Sequence, residues 1–415
     1  MNRSVRGVRG GAVGAVGGAG PVAAAGVNLP ALRSHNAALV LDLLRTAGEA
    51  GISRLELAER TGLTPQAVSK ITARLRTEGL AREAGHRAST GGKPRTVLRL
   101  VPSAAYAVGV HLDRDELTAV LVDLAGVRVA ERRAPLDLGA GVDAVFEVVE
   151  REVAGLGALG PASPEAQGSG TRGSEAHGPE AQGSEAQGSE DHGPGTPDPA
   201  TPRTPALLGV GVAMPGPLDH LTGTPGRVTG YPEWEGVPLR DDLARRLGLP
   251  VELDKDTNAA ALGLALRAPV ADSFAYLHLG TGLGSGLVLG GALHRGARTG
   301  AGEFGHQTVQ LDGPPCDCGG HGCLEVLCLA AVARGDLPEA ARILGTGAMN
   351  LVRLLDIDRV VLGGRAVTAA PEVFAQGVGA VLAGAGLGTP VAGTATPYAV
   401  AEGAAQLILS PIFGK

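Results

Sequence analysis

The chain has 415 residues, enough for two or three domains. Hydrophobic residues make up 44% of it and aromatic residues only 2%, so its cores must be built mainly from Ala, Val and Leu. It lacks any run of about eighteen strongly apolar residues, which excludes a helical membrane span. Its four cysteines argue against a disulfide scaffold, and we expect a reducing location, the bacterial cytoplasm.

The formal net charge of −6 is unevenly distributed along the chain. Residues 1–100 carry 15 Lys and Arg against 6 Asp and Glu, whereas the remainder carries 21 against 36. A basic front on an acidic body indicates a polyanionic partner for the front, and we expect that partner to be a double-stranded DNA operator. A protein bound in this way would associate with the nucleoid.

The front of the chain has the pattern of a small DNA-binding domain. Residues 1–28 are rich in Gly, Ala and Val without a period, so we expect a disordered tail before a domain at 29–101. Asn36, Ser53 and Thr64 are candidate N-caps of three successive helices, and Pro65 suits the first turn of the third. A β-hairpin is predicted to follow, which completes a winged helix-turn-helix.

The third helix and the hairpin tip supply the candidate DNA contacts. Polar and basic side chains on that helix suit base edges and phosphates, and the cations of the tip suit the backbone or the minor groove. The predicted contacts are Thr64, Gln66, Ser69, Lys70, Thr72 and Arg74 on the helix, and Arg87, Lys93 and Arg95 on the wing. The alternative is a helical protein-interaction domain with a solvated basic face.

Residues 102–415 alternate between strand and helix patterns, which predicts an α/β body. Helices are predicted near 143–156, 258–266, 339–355 and 399–409, with strands near 207–214, 251–253, 273–279, 286–289 and 359–362. Residues 161–205 consist largely of polar pentads such as Glu180-Ala-Gln-Gly-Ser. Because such a repeat cannot bury enough apolar surface to fold, we expect a disordered insertion.

A cluster of soft ligands predicts a zinc site in this body. His306, Cys316, Cys318 and Cys323 lie within eighteen residues, in a loop that is rich in glycine. Three thiolates and one imidazole satisfy a tetrahedral Zn²⁺ ion and leave no open position, so we expect a structural zinc. The alternative is ordinary buried cysteines beside a chance histidine.

Two glycine-rich turns and several carboxylates are candidate ligand-binding groups. Each turn follows a predicted strand and could bring backbone N–H groups close to a phosphate. These turn residues are Gly280, Thr281, Gly282 and Gly284 in the first, and Gly363 and Gly364 in the second. Asp256 is placed to accept a proton from a sugar hydroxyl. Its alternative role is to cap a helix, which Thr257 or Asn258 could do equally well. Glu303, His306 and Glu325 flank the zinc ligands and could contact a sugar or simply support the metal.

The chain resembles the ROK family of repressors, open reading frames and kinases, and within it the regulator branch. Glu303-Phe-Gly-His306 together with Cys316-Asp-Cys-Gly-Gly-His-Gly-Cys-Leu-Glu325 carries the resemblance, which covers about residues 32–155 and 206–411. The resemblance implies two actin-like α/β lobes with a sugar in the cleft between them, and a homodimer or homotetramer. It assigns Asp256 as the catalytic base, Glu303, His306 and Glu325 as sugar contacts, and His306 also as a zinc ligand.

Two departures from the family pattern bear on activity. Where ROK kinases have an Asp-rich and Gly-rich first phosphate loop, this chain has His111-Leu-Asp-Arg114 followed by Asp115 and Glu116, which would repel a nucleotide. Lys255 replaces an asparagine that contacts the sugar. We therefore expect a sugar-controlled or sugar-phosphate-controlled repressor rather than an enzyme.

Two alternatives remain open at this point. One is an ATP-dependent sugar kinase with an added DNA-binding domain, which would need ATP and Mg²⁺. The other is a regulator that has lost the sugar and responds to a protein partner or to zinc. The segment between Glu325 and the helix near 339 is also shorter than is usual in the family, which bears on the oligomeric state.

Overall fold

The computed structural model describes residues 35–87, 95–159, 205–267 and 272–415. The first domain contains helices α1 (His35–Ala47), α2 (Arg54–Thr61) and α3 (Pro65–Thr77). Its sheet is formed by β1 (Ile52–Ser53), β2 (Ala81–Arg87) and β3 (Arg95–Leu100), in the order β1-β3-β2. This is the predicted winged helix-turn-helix, with one additional short strand, β1.

Local sequence sets the boundaries of these helices. Ser53 caps α2 through a capping box with Glu56, and Gly62 ends that helix in the left-handed region with φ 70°. Thr64 caps α3 by accepting a hydrogen bond from the backbone of Ala67, as predicted. The prediction of Asn36 as a cap is wrong, because α1 already includes His35 and Asn36 therefore lies within its first turn.

The body contains two five-stranded sheets. The first lobe has the order β10-β7-β4-β5-β6, and β7 runs parallel to both β4 and β10. Its elements are β4 (Ala105–Leu112), β5 (Glu116–Asp123), β6 (Arg128–Pro135), α4 (Val142–Leu159), β7 (Ala206–Met214), the short pair β8 (Leu218–Asp219) and β9 (Thr224–Pro225), α5 (Leu239–Leu247) and β10 (Val251–Lys255). The buried ring of Trp234 lies in its core.

The second lobe is built around the sheet β13-β12-β11-β14-β15. Its strands are β11 (Phe274–Leu279), β12 (Leu283–Leu289), β13 (Ala292–Leu293), β14 (Arg359–Gly363) and β15 (Val391–Gly393). Its helices are α7 (Leu324–Ala333), α8 (Leu337–Leu355), α9 (Arg365–Ala369) and α10 (Pro371–Gly384). The predicted α/β body is thus confirmed, whereas α5, α9 and α10 were not anticipated.

Two helices join the lobes. Helices α6 (Asp256–Arg267) and α11 (Ala399–Leu409) share a hydrophobic core with residues of both sheets. They cross closely at Gly263 and Gly403, where a Cβ on Gly403 would overlap the carbonyl oxygen of Ala259. Glycine at this crossing therefore lets the two backbones approach, so that both helices fit between the sheets.

The DNA-binding domain and the body also share a core. Leu41 and Leu44 of α1 belong to the same buried cluster as Ala405 and Leu409 of α11 and Phe413 after it. The two domains are therefore packed together through the C-terminal end of the chain. The predicted tail at 1–28 lies outside the described residues, as does all but the last residue of the predicted insertion at 161–205.

Candidate functional site

The four predicted zinc ligands come together in the loop before α7. Their ligand atoms all lie within 4.8 Å of one another. The His306 Nδ1 to Cys316 Sγ distance is 3.7 Å, and the Cys318 Sγ to Cys323 Sγ distance is 3.8 Å. Zinc–sulfur bonds of about 2.3 Å at a tetrahedral angle place two sulfurs about 3.8 Å apart, so this donor set fits the ion.

The electrostatics of the cluster favour a cation at its centre. Burial, together with the neighbouring Cys318 and Cys316, raises the pKa of the Cys323 thiol to about 12. A divalent cation reverses this effect, because a coordinated thiol is deprotonated. The fourth cysteine, Cys328, lies apart in the second-lobe core, where burial raises its pKa to about 12 as well. It is therefore an inert core thiol rather than a ligand.

The metal loop is followed directly by Glu325, which lines the cleft between the lobes. Cys323 is the residue before α7, and Glu325 is the second residue of that helix. Glu325 Oε2 accepts a hydrogen bond of 2.7 Å from the backbone N–H of Leu283 on β12. His306 and Glu303 line the same cleft, which has a volume of about 80 Å³. A metal that fixes this loop would therefore also fix three cleft side chains.

Lys255 forms an internal ion pair in this cleft. It is the last residue of β10, and its side chain is only 3% exposed. Its Nζ donates to Glu303 Oε1 at 2.9 Å and to the carbonyl oxygen of Ala301 at 2.5 Å. The stem packs on Gly216, where a Cβ would lie 2.7 Å from the lysine Cδ. The Glu303 side chain remains 44% exposed, so part of its carboxylate still faces the cleft.

Asp256 lies at the junction of β10 and α6, beside this ion pair. It is half-buried, and its Oδ1 accepts a hydrogen bond of 2.6 Å from the backbone of Thr257. Burial raises the pKa of Asp256, an effect that His278 opposes. A raised pKa is typical of a carboxyl group that exchanges a proton with a ligand, and the same residue also begins the helix.

The two glycine-rich turns lie at the carboxyl ends of β11 and β14, which are adjacent parallel strands. Gly280 to Gly282 connect β11 to β12, and Gly284 is the second residue of β12. Thr281 Oγ1 donates to Asp113 Oδ1 at 2.7 Å. Gly363 and Gly364 lead into α9. Gly364 has φ 93°, and a Cβ there would overlap the backbone of Leu279. The turns therefore lie next to each other and face the first lobe.

Sequence reasoning missed the most highly charged contact of this region, at Arg365. This residue follows Gly364 and forms ion pairs with Asp113 and Asp115 of the β4–β5 turn. The pKa of Arg365 is raised by hydrogen bonds to Asp115 and Asp113. Burial alone would raise the pKa of Asp113, but His111, Thr281 and Arg365 hold it well below its usual range. Arg365 thus offsets one of the two negative charges that Asp113 and Asp115 bring to the acidic turn.

A pair of histidines at the base of the cleft was also missed. The His111 and His278 rings meet edge to face at 6.2 Å, and His278 Nδ1 lies 2.9 Å from the Tyr276 hydroxyl. Burial lowers the pKa of His111 to about 4, so this ring is neutral at physiological pH. The mainly apolar strand patterns around both residues gave no signal that these two side chains would meet.

The third helix of the first domain presents most of the predicted DNA contacts to solvent. Thr64, Gln66, Ser69, Lys70 and Arg74 are exposed, as is Arg95 at the start of β3. The assignment of Thr72 was wrong, because this residue is fully buried and its hydroxyl donates to the Val68 carbonyl oxygen at 2.8 Å. Arg87 ends β2, and Lys93 lies outside the described residues.

Within the described residues, every helix is too short or too polar to cross a bilayer.

Comparison with protein families identifies both parts of the chain. Residues 40–82 match the winged helix-turn-helix DNA-binding family, and residues 198–334 match the ROK family. The second match contains the metal cluster, Lys255, Asp256 and the first glycine turn. The helix-turn-helix and the metal cluster were each predicted from the sequence. They therefore fall in two segments that match two different families.

The individual relatives of this chain include both a repressor and a sugar kinase. The xylose repressor of Caldicellulosiruptor bescii is 27% identical over 282 residues, which cover 66% of this chain and 59% of that protein. The glucokinase of Thermotoga maritima is 41% identical over 133 residues, 31% of this chain and 42% of that enzyme. The chain thus spans less than two thirds of the length of either relative.

A solved structure matches the whole architecture. It is described as a ROK family transcriptional regulator, a homolog of the E. coli MLC protein. The TM-score is 0.64 at 19% identity, and the match covers 92% of this chain and 97% of that one. This likeness concerns the fold, and it extends across the DNA-binding domain and both lobes.

Proposed function

We propose that this ROK family protein, which joins a winged helix-turn-helix domain to a ROK domain, is a sugar-responsive transcription regulator. It would act as a repressor of carbohydrate-metabolism genes, with a sugar or sugar phosphate as the effector and a structural zinc. The regulators among its relatives support this proposal. The observation that carries it is the direct mechanical connection between the cleft and the DNA-binding domain.

Helix α6 provides that connection. Asp256 of the cleft begins the helix, and the carbonyl oxygen of Leu266 near its other end accepts a hydrogen bond of 3.3 Å from Arg45 Nη1. Arg45 belongs to α1 of the DNA-binding domain. Twelve residues of α-helix span about 18 Å, so a rigid element runs from the proposed effector site to α1.

The C-terminal residues add a second connection at the same place. The Arg45 guanidinium lies 5.0 Å from the centre of the Phe413 ring, and Lys415 Nζ lies 3.0 Å from Asp42 Oδ2. Phe413 follows α11, the other helix between the lobes. A change in lobe closure would therefore move two helices that both end against α1, which is how an effector could reorient the DNA-binding domain.

The effector site in this proposal is the cleft beside the zinc loop. Asp256, Glu303, His306 and Glu325 would accept or share hydrogen bonds with sugar hydroxyls, and Lys255 would hold Glu303 in place. Zinc on His306, Cys316, Cys318 and Cys323 would supply no reactive position, because four protein ligands complete its tetrahedron. The role of the chain's own residues is to bind and orient the sugar.

The DNA site in this proposal is the exposed face of α3 with the wing. Gln66 and Ser69 would meet base edges in the major groove, while Lys70 and Arg74 would meet phosphates, together with Thr64, Arg87, Lys93 and Arg95. A homodimer, or a homotetramer built from dimers, would place two such helices on half-sites of a palindromic operator. Lobe closure would then alter the spacing of the two helices.

The alternative activity, an ATP-dependent sugar kinase, draws on Asp256 and on the similarity to glucokinase. It would require ATP and Mg²⁺ between the two glycine turns. Arg365 and its two carboxylate partners stand at that position, which favours the regulator.

A thermal-shift screen against sugars and sugar phosphates, with and without ATP and Mg²⁺, tests the proposal. A ligand that binds only the native state raises the melting temperature by mass action. We expect one sugar or sugar phosphate to raise it, and the same compound to release a bound promoter fragment in a gel-shift assay. Turnover of ATP by the sugar-bound protein, without any effect on DNA binding, would overturn the proposal.

A further inference from the structure

The ion pairs of Arg365 connect the two lobes at the mouth of the cleft. Arg365 Nη2 lies 2.6 Å from Asp113 Oδ2, and the same guanidinium contacts both carboxylate oxygens of Asp115 at 2.5 and 2.9 Å. The two aspartates belong to the β4–β5 turn of the first lobe. Arg365 begins α9 of the second lobe, so every one of these bonds crosses between the lobes.

A further hydrogen bond strengthens the same junction. Thr281 of the β11–β12 turn donates to Asp113 Oδ1 at 2.7 Å, while Arg365 binds the other oxygen of that carboxylate. Asp113 is therefore held by two separate turns of the second lobe. Its side chain is only 12% exposed, whereas those of Arg365 and Asp115 are 47% and 61% exposed.

The backbone positions Arg365 for this contact. Gly364 has φ 93°, and any side chain there would overlap the backbone of Leu279, so only glycine lets β14 turn closely over β11 into α9. Asp113 lines the effector cleft and also a second cavity of about 360 Å³ that Arg365 lines. Asp113 thus lies between the two cavities, and its partner Arg365 lines the larger one.

We propose that Arg365 is a positioning residue that holds the lobes closed over the effector cleft, so that the effector binds tightly without any nucleotide. The proposal rests on the proposed function, since it concerns the same cleft. A planar guanidinium that spans two carboxylates fixes direction as well as distance, which a lysine cannot do. The exposed Asp115 contact is screened by salt, so the closure is reversible and can take part in a switch.

Arg365→Gln tests this role, because it removes the charge and the fork but keeps a polar side chain. Arg342→Gln is the matched control, since among the described residues Arg342 pairs only with Glu339 on the same helix. We expect the effector dissociation constant, measured by calorimetry, to rise by about 5- to 150-fold in Arg365→Gln, the usual range for a coupling of this kind. Arg342→Gln should match the unaltered protein.

Further measurements distinguish a positioning role of Arg365 from a general loss of structure. Small-angle scattering of the full-length protein should show a larger radius of gyration for ligand-free Arg365→Gln, while its zinc content stays unchanged. Arg365→Lys should restore only part of the affinity. ATP with Mg²⁺ should not improve sugar binding by the unaltered protein.

The proposal is overturned if Arg365→Gln keeps both the dissociation constant and the radius of gyration of the control. It is also overturned if tight sugar binding by the unaltered protein requires ATP and Mg²⁺. Should no sugar bind the unaltered protein, the proposed function fails, and the scattering of the ligand-free variant still decides whether Arg365 closes the lobes.

Discussion

Because Lys255 is buried and Glu303 is partly exposed, we predict that removing Glu303 destabilises the protein more than removing Lys255. Lys255 is 3% exposed and Glu303 is 44% exposed. In Glu303→Gln the buried ammonium loses its counter-charge and keeps only neutral acceptors, the Ala301 carbonyl oxygen and the new amide oxygen. Breaking a buried pair in this way costs about 3–5 kcal/mol, and we expect about 3 kcal/mol here because Glu303 is already partly hydrated.

The opposite substitution should be mild. In Lys255→Met the buried charge disappears, and the remaining Glu303 carboxylate can complete its hydration from the cleft. A methionine of similar length fills the space over Gly216, so the free energy of unfolding should change by no more than about 1 kcal/mol. The double variant should resemble Lys255→Met, because no unpaired buried charge remains.

Urea unfolding followed by tryptophan fluorescence measures this asymmetry. The single tryptophan, Trp234, is fully buried in the first lobe, the lobe whose strand β10 ends at Lys255. A shift in midpoint without a change in slope reports stability alone. The reasoning is refuted if Lys255→Met is destabilised more than Glu303→Gln, or if the double variant is less stable than Glu303→Gln.

Three further variants test other parts of the molecule. Cys318→Ser should lower the zinc content, measured by atomic absorption, and abolish the effector response; a normal response would contradict the structural role of the metal. Lys70→Ala with Arg74→Ala should weaken DNA binding and reduce the salt slope by roughly one unit per lost phosphate contact, and an unchanged slope would argue against the placement of α3. The half-buried, neutral His111 has a pKa of about 4 in the folded state against 6.5 for the free side chain. The unfolded chain therefore binds more protons between these values, and stability falls as pH drops from about 6.5 towards 4. His111→Gln should remove up to about 3 kcal/mol of that fall in pH-dependent urea unfolding, whereas an identical pH profile would mean that the ring is not buried as described.

Local signals accounted for the parts of the fold that the sequence predicted well. Ser53 and Thr64 each cap a helix through their own neighbours, so their positions depend on residues within one turn. The metal cluster is equally local, because His306 and Cys323 lie in one loop. Helix α11 was predicted with its observed bounds, since it is rich in Ala and Leu and its polar residues are limited to Glu402 and Gln406.

Features that depend on distant contacts were missed. Thr72 was predicted to be an exposed residue of α3. In the structure it lies on the face of the helix that packs in the domain core, and its hydroxyl donates a hydrogen bond to the carbonyl oxygen of Val68. Arg365 and Asp115 are 250 residues apart in sequence, and only the packing of two sheets brings them together. The acidic turn therefore looked like a repulsive defect, whereas in the structure it is an interlobe contact.

The most direct test of the central claim is thermodynamic reciprocity between DNA and effector. The effector identified by the thermal-shift screen would be titrated into the protein alone and into the protein saturated with its operator. If the two sites are coupled through α6 and α11, the effector should bind the DNA complex more weakly, by the same factor by which it weakens operator binding. Equal effector affinity in both titrations would contradict the account, since a ligand that does not distinguish the two states cannot shift them.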